Sequence, residues 1–386
     1  MNEKNKQRNK TVMEGWKEYK FEELADFPPK VKLVKGEKYP FVLMDEIDAG
    51  FKYVRASFSK NYNGSGAKFE NGDTLFARIT PSLENGKIAQ IKGIDKPAFG
   101  STEFFVFRGR KGISDNDFIY YLSKTDWFRQ NAVNSMVGAS GRQRADAKFV
   151  AKTKLLIPSL PTQHRIAKIL SAYDDLIENN LKRIKLLEEM AQKTYEEWFV
   201  RFKFPGHETA KFNKETGLPE GWKRVKLGEV ANFKYGKALK STDRNAGKYP
   251  VYGSAGIVGW HNDYICKAPG IIVGRKGNVG SVFWSELNYY PIDTVYYISS
   301  KLPLNYIYYL IKYIPFINND AAVPGLNRNA AYLMKCILPS EILINKFTKI
   351  IKPIFKQIQT LKNQNQRLKE ARDILLPRLM TGVINV

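Results

Sequence analysis

The same ordered set of local patterns occurs twice in this 386-residue chain, and that duplication constrains its architecture more than any single motif does. Gly15-Trp16-Lys17 opens a segment ending Glu23-Leu24-Ala25-Asp26-Phe27. Gly221-Trp222-Lys223 opens another, 206 residues later, ending Glu229-Val230-Ala231-Asn232-Phe233. Further pairs follow in the same order. Residues 74–78 match 271–275 at a separation of 197, and Thr102 with the run 104–106 matches Thr294 with 296–298 at 192. Residues 118–122 match 306–310 at 188, Gly141 and Arg144 match Gly325 and Arg328 at 184, and Pro158 matches Pro339 at 181. Separations that only shrink describe one fold used twice, with loops shortened in the second copy.

The short apolar runs at 102–107 and 295–298 have strand character. The Gly- and Asn-rich stretches 61–66 and 274–280 read as loops, and 118–131 and 304–317 as helices. Each copy is therefore expected to be an α+β module with a strand-rich core.

Beyond Pro161 the pattern becomes a heptad. Ile166, Leu170, Tyr173, Ile177, Asn180, Ile184, Leu187, Ala191, Thr194 and Trp198 alternate in steps of four and three, which lays one stripe along a helix. Residues 181 further on repeat the register as Phe347, Ile351, Ile354, Ile358, Leu361, Asn365, Leu368, Arg372, Leu375 and Leu379. Each stripe contains one Asn. It either fixes register and partner or meets water at a frayed point. Pro353 is expected to kink the second helix or delay its start. The fold class that emerges is α+β: two tandem, pseudo-symmetric modules joined by two long antiparallel coiled-coil helices. The expected divisions are a disordered basic tail over 1–11, module one over 12–160, helix one over 161–200, a linker over 201–221, module two over 222–340 and helix two over 341–380.

Lys and Arg number 62 against 38 Asp and Glu, a net charge of +24, which implies a polyanionic partner. No apolar run approaches the roughly 20 residues that span a bilayer, and residues 1–10 lack a signal-peptide core, so a cytoplasmic protein with no membrane partner is expected. Cys266 and Cys336 have neither metal-ligand nor disulfide spacing, and three histidines do not supply a metal site.

The run Tyr195-Glu196-Glu197-Trp198-Phe199-Val200-Arg201-Phe202-Lys203-Phe204-Pro205-Gly206-His207 resembles the central conserved region of the specificity subunits of Type I restriction-modification enzymes. Leu218-Pro219-Glu220-Gly221-Trp222 resembles that family's entry to its second domain. Leu160-Pro161-Thr162-Gln163-His164-Arg165-Ile166 resembles the entry to its first spacer helix, and Leu375-Leu376-Pro377-Arg378-Leu379-Met380-Thr381-Gly382 its C-terminal signature. The entry to the second helix, Leu338-Pro339-Ser340-Glu341, departs from the pattern. The resemblance covers nearly the whole chain. It implies two target-recognition domains, each reading one half of a split double-stranded DNA sequence. It also implies two methyltransferase subunits docked on the helices, and two motor-nuclease subunits in the restriction form. S-adenosylmethionine is then expected on the partner methyltransferase, with no cofactor, metal or catalytic residue in this chain. The competing readings are a general nucleic-acid scaffold without a methyltransferase partner and a fused site-specific nuclease.

Motifs for chemistry are missing. There is no Asn-Pro-Pro-aromatic run of the adenine methyltransferase type. Residues 274–281 are Gly-rich but lack the Lys that a phosphate-cradling loop requires, and no carboxylate cluster suggests a nuclease metal site. For DNA contact, side chains able to reach base edges or phosphates on Gly-flanked loops are the candidates. In copy one these are Arg78, Lys87, Arg142, Gln143 and Arg144, the last three on the loop 140–144; in copy two they are Arg275, Lys276, Asn278, Asn327 and Arg328. Arg78 with Arg275, and Arg144 with Arg328, occupy matching positions, which suits contact with the backbone. Lys87, Arg142 and Gln143 differ between copies, which suits base reading.

Overall fold

The computed structural model describes residues 15–139, 141–316 and 325–386. The expected tail over 1–11 and Ser140 of the candidate loop lie outside the described residues. The chain forms two compact units. Unit 1 comprises Met1–Asn180 with Asn363–Val386, and unit 2 comprises Leu181–Lys362, so the division falls inside the two long helices.

Unit 1 opens with β1 (Lys17–Lys20), the short helix α1 (Phe21–Leu24) and β2 (Ala25–Asp26). There follow β3 (Lys38–Val42), β4 (Tyr53–Val54), β5 (Phe58–Asn61), β6 (Ala67–Phe69), β7 (Thr74–Ala77), β8 (Ile88–Ile91), β9 (Ala98–Gly100) and β10 (Phe104–Gly109). Helices α2 (Asn116–Lys124), α3 (Asp126–Asn134) and α4 (Ala147–Ala151) precede β11 (Lys154–Ile157), which returns to pair antiparallel with β1. The strands build a five-stranded sheet, β2-β10-β7-β8-β4, and a four-stranded one, β5-β3-β9-β6. Strands β7, β8 and β9 are buried at every position, so the polar Thr74 and Gln90 lie in the interior beside the apolar side chains. Phe21, Phe27, Phe105 and Phe107 meet edge to face around 4.8–4.9 Å, an arrangement favoured by the ring quadrupole. The single helix expected over 118–131 is two. Thr125 ends α2 and its Oγ1 accepts the Phe128 N–H at 3.3 Å, capping α3 in a new direction.

Unit 2 repeats this order with β12 (Lys223–Lys226), α6 (Leu227–Val230), β13 (Asn232–Tyr235), β14 (Tyr249–Gly253), β15 (Gly256–His261), β16 (Gly270–Gly274), β17 (Val282–Ser285), β18 (Tyr290–Pro291) and β19 (Val295–Ser299). Helices α7 (Leu304–Lys312) and α8 (Arg328–Leu333) lead to β20 (Lys335–Leu338), which pairs with β12. Its sheets are β13-β19-β16-β17 and β15-β14-β18.

Hydrogen bonding corrects two of the sequence matches. The Arg78 N–H donates to the Glu103 carbonyl as the Arg275 N–H donates to the Thr294 carbonyl, both at 2.9 Å. Glu103 and Thr294 are therefore equivalent, and β10 matches β19 one residue away from the register that aligns Thr102 with Thr294. Likewise the Ala145 N–H donates to Arg78 as the Leu326 N–H donates to Arg275, each at 2.8 Å. This makes Arg144 equivalent to Gly325, not to Arg328. The shared Gly-x-x-Arg spacing misleads because the bridges Ile79↔Arg144 and Lys276↔Gly325, not residue identity, set the pairing.

The first long helix, α5 (Leu160–Tyr195), continues into a π-turn over Glu196–Val200. Gln163 fastens its start to unit 1. The buried side chain donates to the Ile113 and Pro158 carbonyls at 3.1 and 3.0 Å and accepts from the Asp115 N–H at 3.2 Å. The second, α9 (Glu341–Met380), begins before Pro353 and continues through it, so the late start expected as one alternative does not occur. Pro353 and Lys349 both lie on the exposed face, so the carbonyl that Pro353 leaves without an N–H donor is open to water.

Candidate nucleic-acid interface

In unit 1 the chain leaves β7 at Arg78, which is pinned through its own N–H and carbonyl. Its guanidinium lies 4.7 Å from the centre of the Phe105 ring. The Thr80 N–H donates to the Gln143 carbonyl at 3.0 Å, and the Gln143 N–H to Thr80 Oγ1 at 3.1 Å. These bonds lay the loop carrying Arg142, Gln143 and Arg144 against the loop that begins at Arg78. Arg144 gives Nε and Nη2 to the Glu103 carboxylate at 3.0 and 2.7 Å, a fork that compensates its charge within the unit. Arg142 is exposed and Gln143 half-buried. Lys87 is bonded through its backbone to Ala77 and Ser82, but its side chain is turned to other partners. Its ammonium donates to the Met44 carbonyl at 3.0 Å and faces Asp45 at 3.5 Å, so it is engaged within the unit.

In unit 2, Arg275 follows β16 and donates Nε and Nη2 to the Asp293 carbonyl at 3.0 and 2.8 Å. Its guanidinium lies 5.2 Å from the Tyr235 ring centre, and that of Arg328 lies 4.8 Å from the same ring. Tyr235 is half exposed. Beneath it, Tyr296 donates its hydroxyl to the Leu326 carbonyl at 2.9 Å, and burial foremost pushes that hydroxyl's pKa up to about 12. Lys276 and Asn278 are exposed on the same loop as Arg275. Asn327 has a local task, because its side-chain oxygen caps α8 by accepting the Asn329 and Ala330 N–H groups at 2.9 and 3.1 Å. Asp146 does the same for α4 at the equivalent position.

Sequence reasoning missed Tyr235 and the carboxylate Glu103. An aromatic between Lys234 and Gly236-Lys237 at a strand end was an available signal. No local pattern, by contrast, links Glu103 to Arg144.

The helix stripe is buried largely as its spacing predicts. In unit 1, Ile166, Leu170, Ile177 and Asn180 of α5 are buried, as is Asn365 of α9, while Leu368 is half-buried. The two Asn side chains meet each other, Asn180 Nδ2 donating to Asn365 Oδ1 at 2.9 Å. Arg372 pairs with Asp174, which lies beside the expected stripe position Tyr173 and also accepts the Tyr121 hydroxyl at 2.6 Å. Burial disfavours the Arg372 cation, and Asp174, Tyr120 and Asp373 together more than offset this, so its pKa lies above the ordinary arginine value. In unit 2, Ile184 of α5 shares one core with Ile351, Ile358 and Leu361 of α9, and Leu187 packs at its edge. Within each unit the two segments run antiparallel. Replacing Asn180 alone with Leu leaves the Asn365 amide short of a partner, and should cost about 1–3 kcal/mol in urea unfolding. Replacing both with Leu should recover most of that loss.

Among the described residues no group of three or more His, Cys, Asp and Glu side chains could hold a metal, and no helix is long and apolar enough to cross a membrane. A family model described as the Type I restriction modification DNA specificity domain matches twice, over residues 13–189 and 219–370. The MjaIX Type I specificity subunit of Methanocaldococcus jannaschii is 24% identical, over 92% of this chain and 89% of its own length. The HindI specificity subunit of Haemophilus influenzae is 24% identical, over 96% and 100%. The crystal structure of a Type I S subunit from M. genitalium has the same fold, with a TM-score of 0.58 and 19% identity over 94% of this chain and 96% of that one.

Proposed function

The chain belongs to the Type I restriction modification DNA specificity family, and from that premise we propose that it reads a two-part double-stranded DNA target and brings modification subunits to it. Each unit reads one half of the target. The helices set the unread gap and dock two methyltransferase subunits, which carry S-adenosylmethionine and methylate adenine. Two motor-nuclease subunits join in the restriction form. No step of the chemistry falls to this chain.

The observation that carries this reading is the duplicated unit with divergent loops. Equivalent backbone bonds hold Arg78 and Arg275, yet the side chains around them differ: Glu103 where unit 2 has Thr294, and Arg144 where it has Gly325. A shared frame with different loop chemistry is what two readers of different sequences require. The surplus of +24 supports a polyanionic partner.

Exchange of residues 222–339 for the matching segment of a related subunit tests this reading. In cells that supply the methyltransferase, mapping of methylated adenines should show one half of the recognised sequence changed, the other half retained and the gap nearly constant. Alteration of both halves would overturn the modular reading.

A further inference from the structure

We infer that unit 2 grips a DNA phosphodiester at Arg275, Tyr235 and Arg328, whereas unit 1, which keeps Arg78 at the position of Arg275, holds its second arginine, Arg144, on a carboxylate, Glu103, at the position of Thr294. The inference rests on the DNA-reading function proposed above and adds which unit holds the backbone there, and with what.

Two guanidinium groups gathered around one half-exposed ring repel each other unless an anion joins them. Arg275 spends Nε and Nη2 on a backbone carbonyl, which fixes its direction without cancelling its charge. Arg328 has the Tyr235 ring as its contact, and its Nε is buried without a hydrogen-bond partner. Neither cation has a carboxylate within ion-pair distance among the described residues, and stacking on Tyr235 orients both while leaving their charge available. The cluster is thus a preformed anion site with an aromatic wall. Unit 1 shows what would close it. There Glu103 occupies the position of Thr294, and its carboxylate takes the fork of Arg144. A phosphate suits the unit 2 site better than a base edge. Arg275 shares its backbone setting with Arg78 in the other unit, and a position common to two readers of different sequence carries no sequence information.

The test measures binding of the full chain to a mixed-sequence DNA duplex across a salt series. Each phosphate contact contributes about 0.9 to the slope of log K against log salt. Arg328→Ala should lower that slope by about one contact, and Thr294→Glu, which installs the carboxylate of unit 1, should do the same. Arg328→Lys should keep it. In unit 1, Glu103→Thr frees Arg144 and should steepen the slope. Thermal unfolding establishes that each variant is folded, and the two routes to the same loss guard against misfolding of one of them. An unchanged slope in both Arg328→Ala and Thr294→Glu, with salt-dependent binding by the parent, overturns the inference and leaves DNA reading standing. A parent whose duplex binding is flat in salt overturns the DNA reading itself. A changed second half of the methylated sequence at constant slope assigns the cluster to base edges and overturns the phosphate assignment.

Discussion

Asp174→Ala should destabilise unit 1 by about 3–5 kcal/mol, because it strands the Arg372 cation in a buried seam. Arg372 is 6% exposed and Asp174 3%, so water does not replace the missing carboxylate. Asp373 remains against Arg372 Nη2 at 2.9 Å, but it lies on the exposed face and is screened. The Tyr121 hydroxyl also loses its acceptor. Removing both charges is a different matter. The desolvation cost of a buried pair roughly cancels its attraction, so Asp174→Ala combined with Arg372→Met should restore most of the loss. Urea unfolding of the four proteins forms a double-mutant cycle, and a double variant no better than Asp174→Ala would show that the charges do not act as a pair. A second buried cation adjoins this region. Lys52, whose side chain is fully buried, donates to Asp117 at 2.9 Å and Ser171 at 2.8 Å, tying the residue before β4 to both α2 and α5.

The sequence made the helices legible and left this ionic layer hidden, for a physical reason. Heptad spacing reports which residues face inward when they are apolar, and Ile166, Leu170, Ile177 and Ile184 follow it. Asp174 sits one residue from the stripe and reads as solvent-facing. Its burial depends on Arg372, a partner that the stripe does contain but that cannot be matched to it by spacing alone. The two Asn positions were legible as a pair of exceptions, and their burial and mutual hydrogen bond rule out the frayed, water-facing role. The loops show the same limit. That Arg78 and Arg275 matter could be read from matching strand ends. That Arg144 is neutralised while Arg328 is not depends on Glu103, distant in sequence from Arg144. Alignment by Gly-x-x-Arg placed Arg144 opposite Arg328, whereas the backbone bridges place it opposite Gly325.

Unit 2 has Phe355 and Ala191 at the helix positions equivalent to Asp174 and Arg372, an apolar core in place of an ion pair, and there Phe347→Ala should cost about 3–5 kcal/mol, as expected for emptying a buried aromatic site. Phe347 is fully buried. Its ring centre lies 5.8 Å from that of Tyr195, 6.0 Å from Trp198, 5.1 Å from Phe199 and 6.2 Å from Tyr309. These neighbours come from the end of α5, its π-turn and α7, so the cavity opens where three elements meet and cannot close by moving one of them. Position 355, the counterpart of Asp174, is Phe355, and it meets Trp284, Tyr308 and Tyr309 at 4.7, 5.7 and 6.1 Å. This core has no charge to strand, so its losses should scale with volume: Phe347→Leu should cost less than Phe347→Ala. Hydrogen exchange on the full chain would read where the loss falls. Protection should drop across Leu181–Lys362 and persist in β7, β8 and β10 of unit 1. If protection fell equally in both, the chain would unfold as one body and the two readers would not be energetically separable. With separable units, Phe347→Ala should weaken recognition of one half of the DNA target while the other half is still bound, and methylation mapping at reduced temperature and at growth temperature would show that half becoming degenerate first.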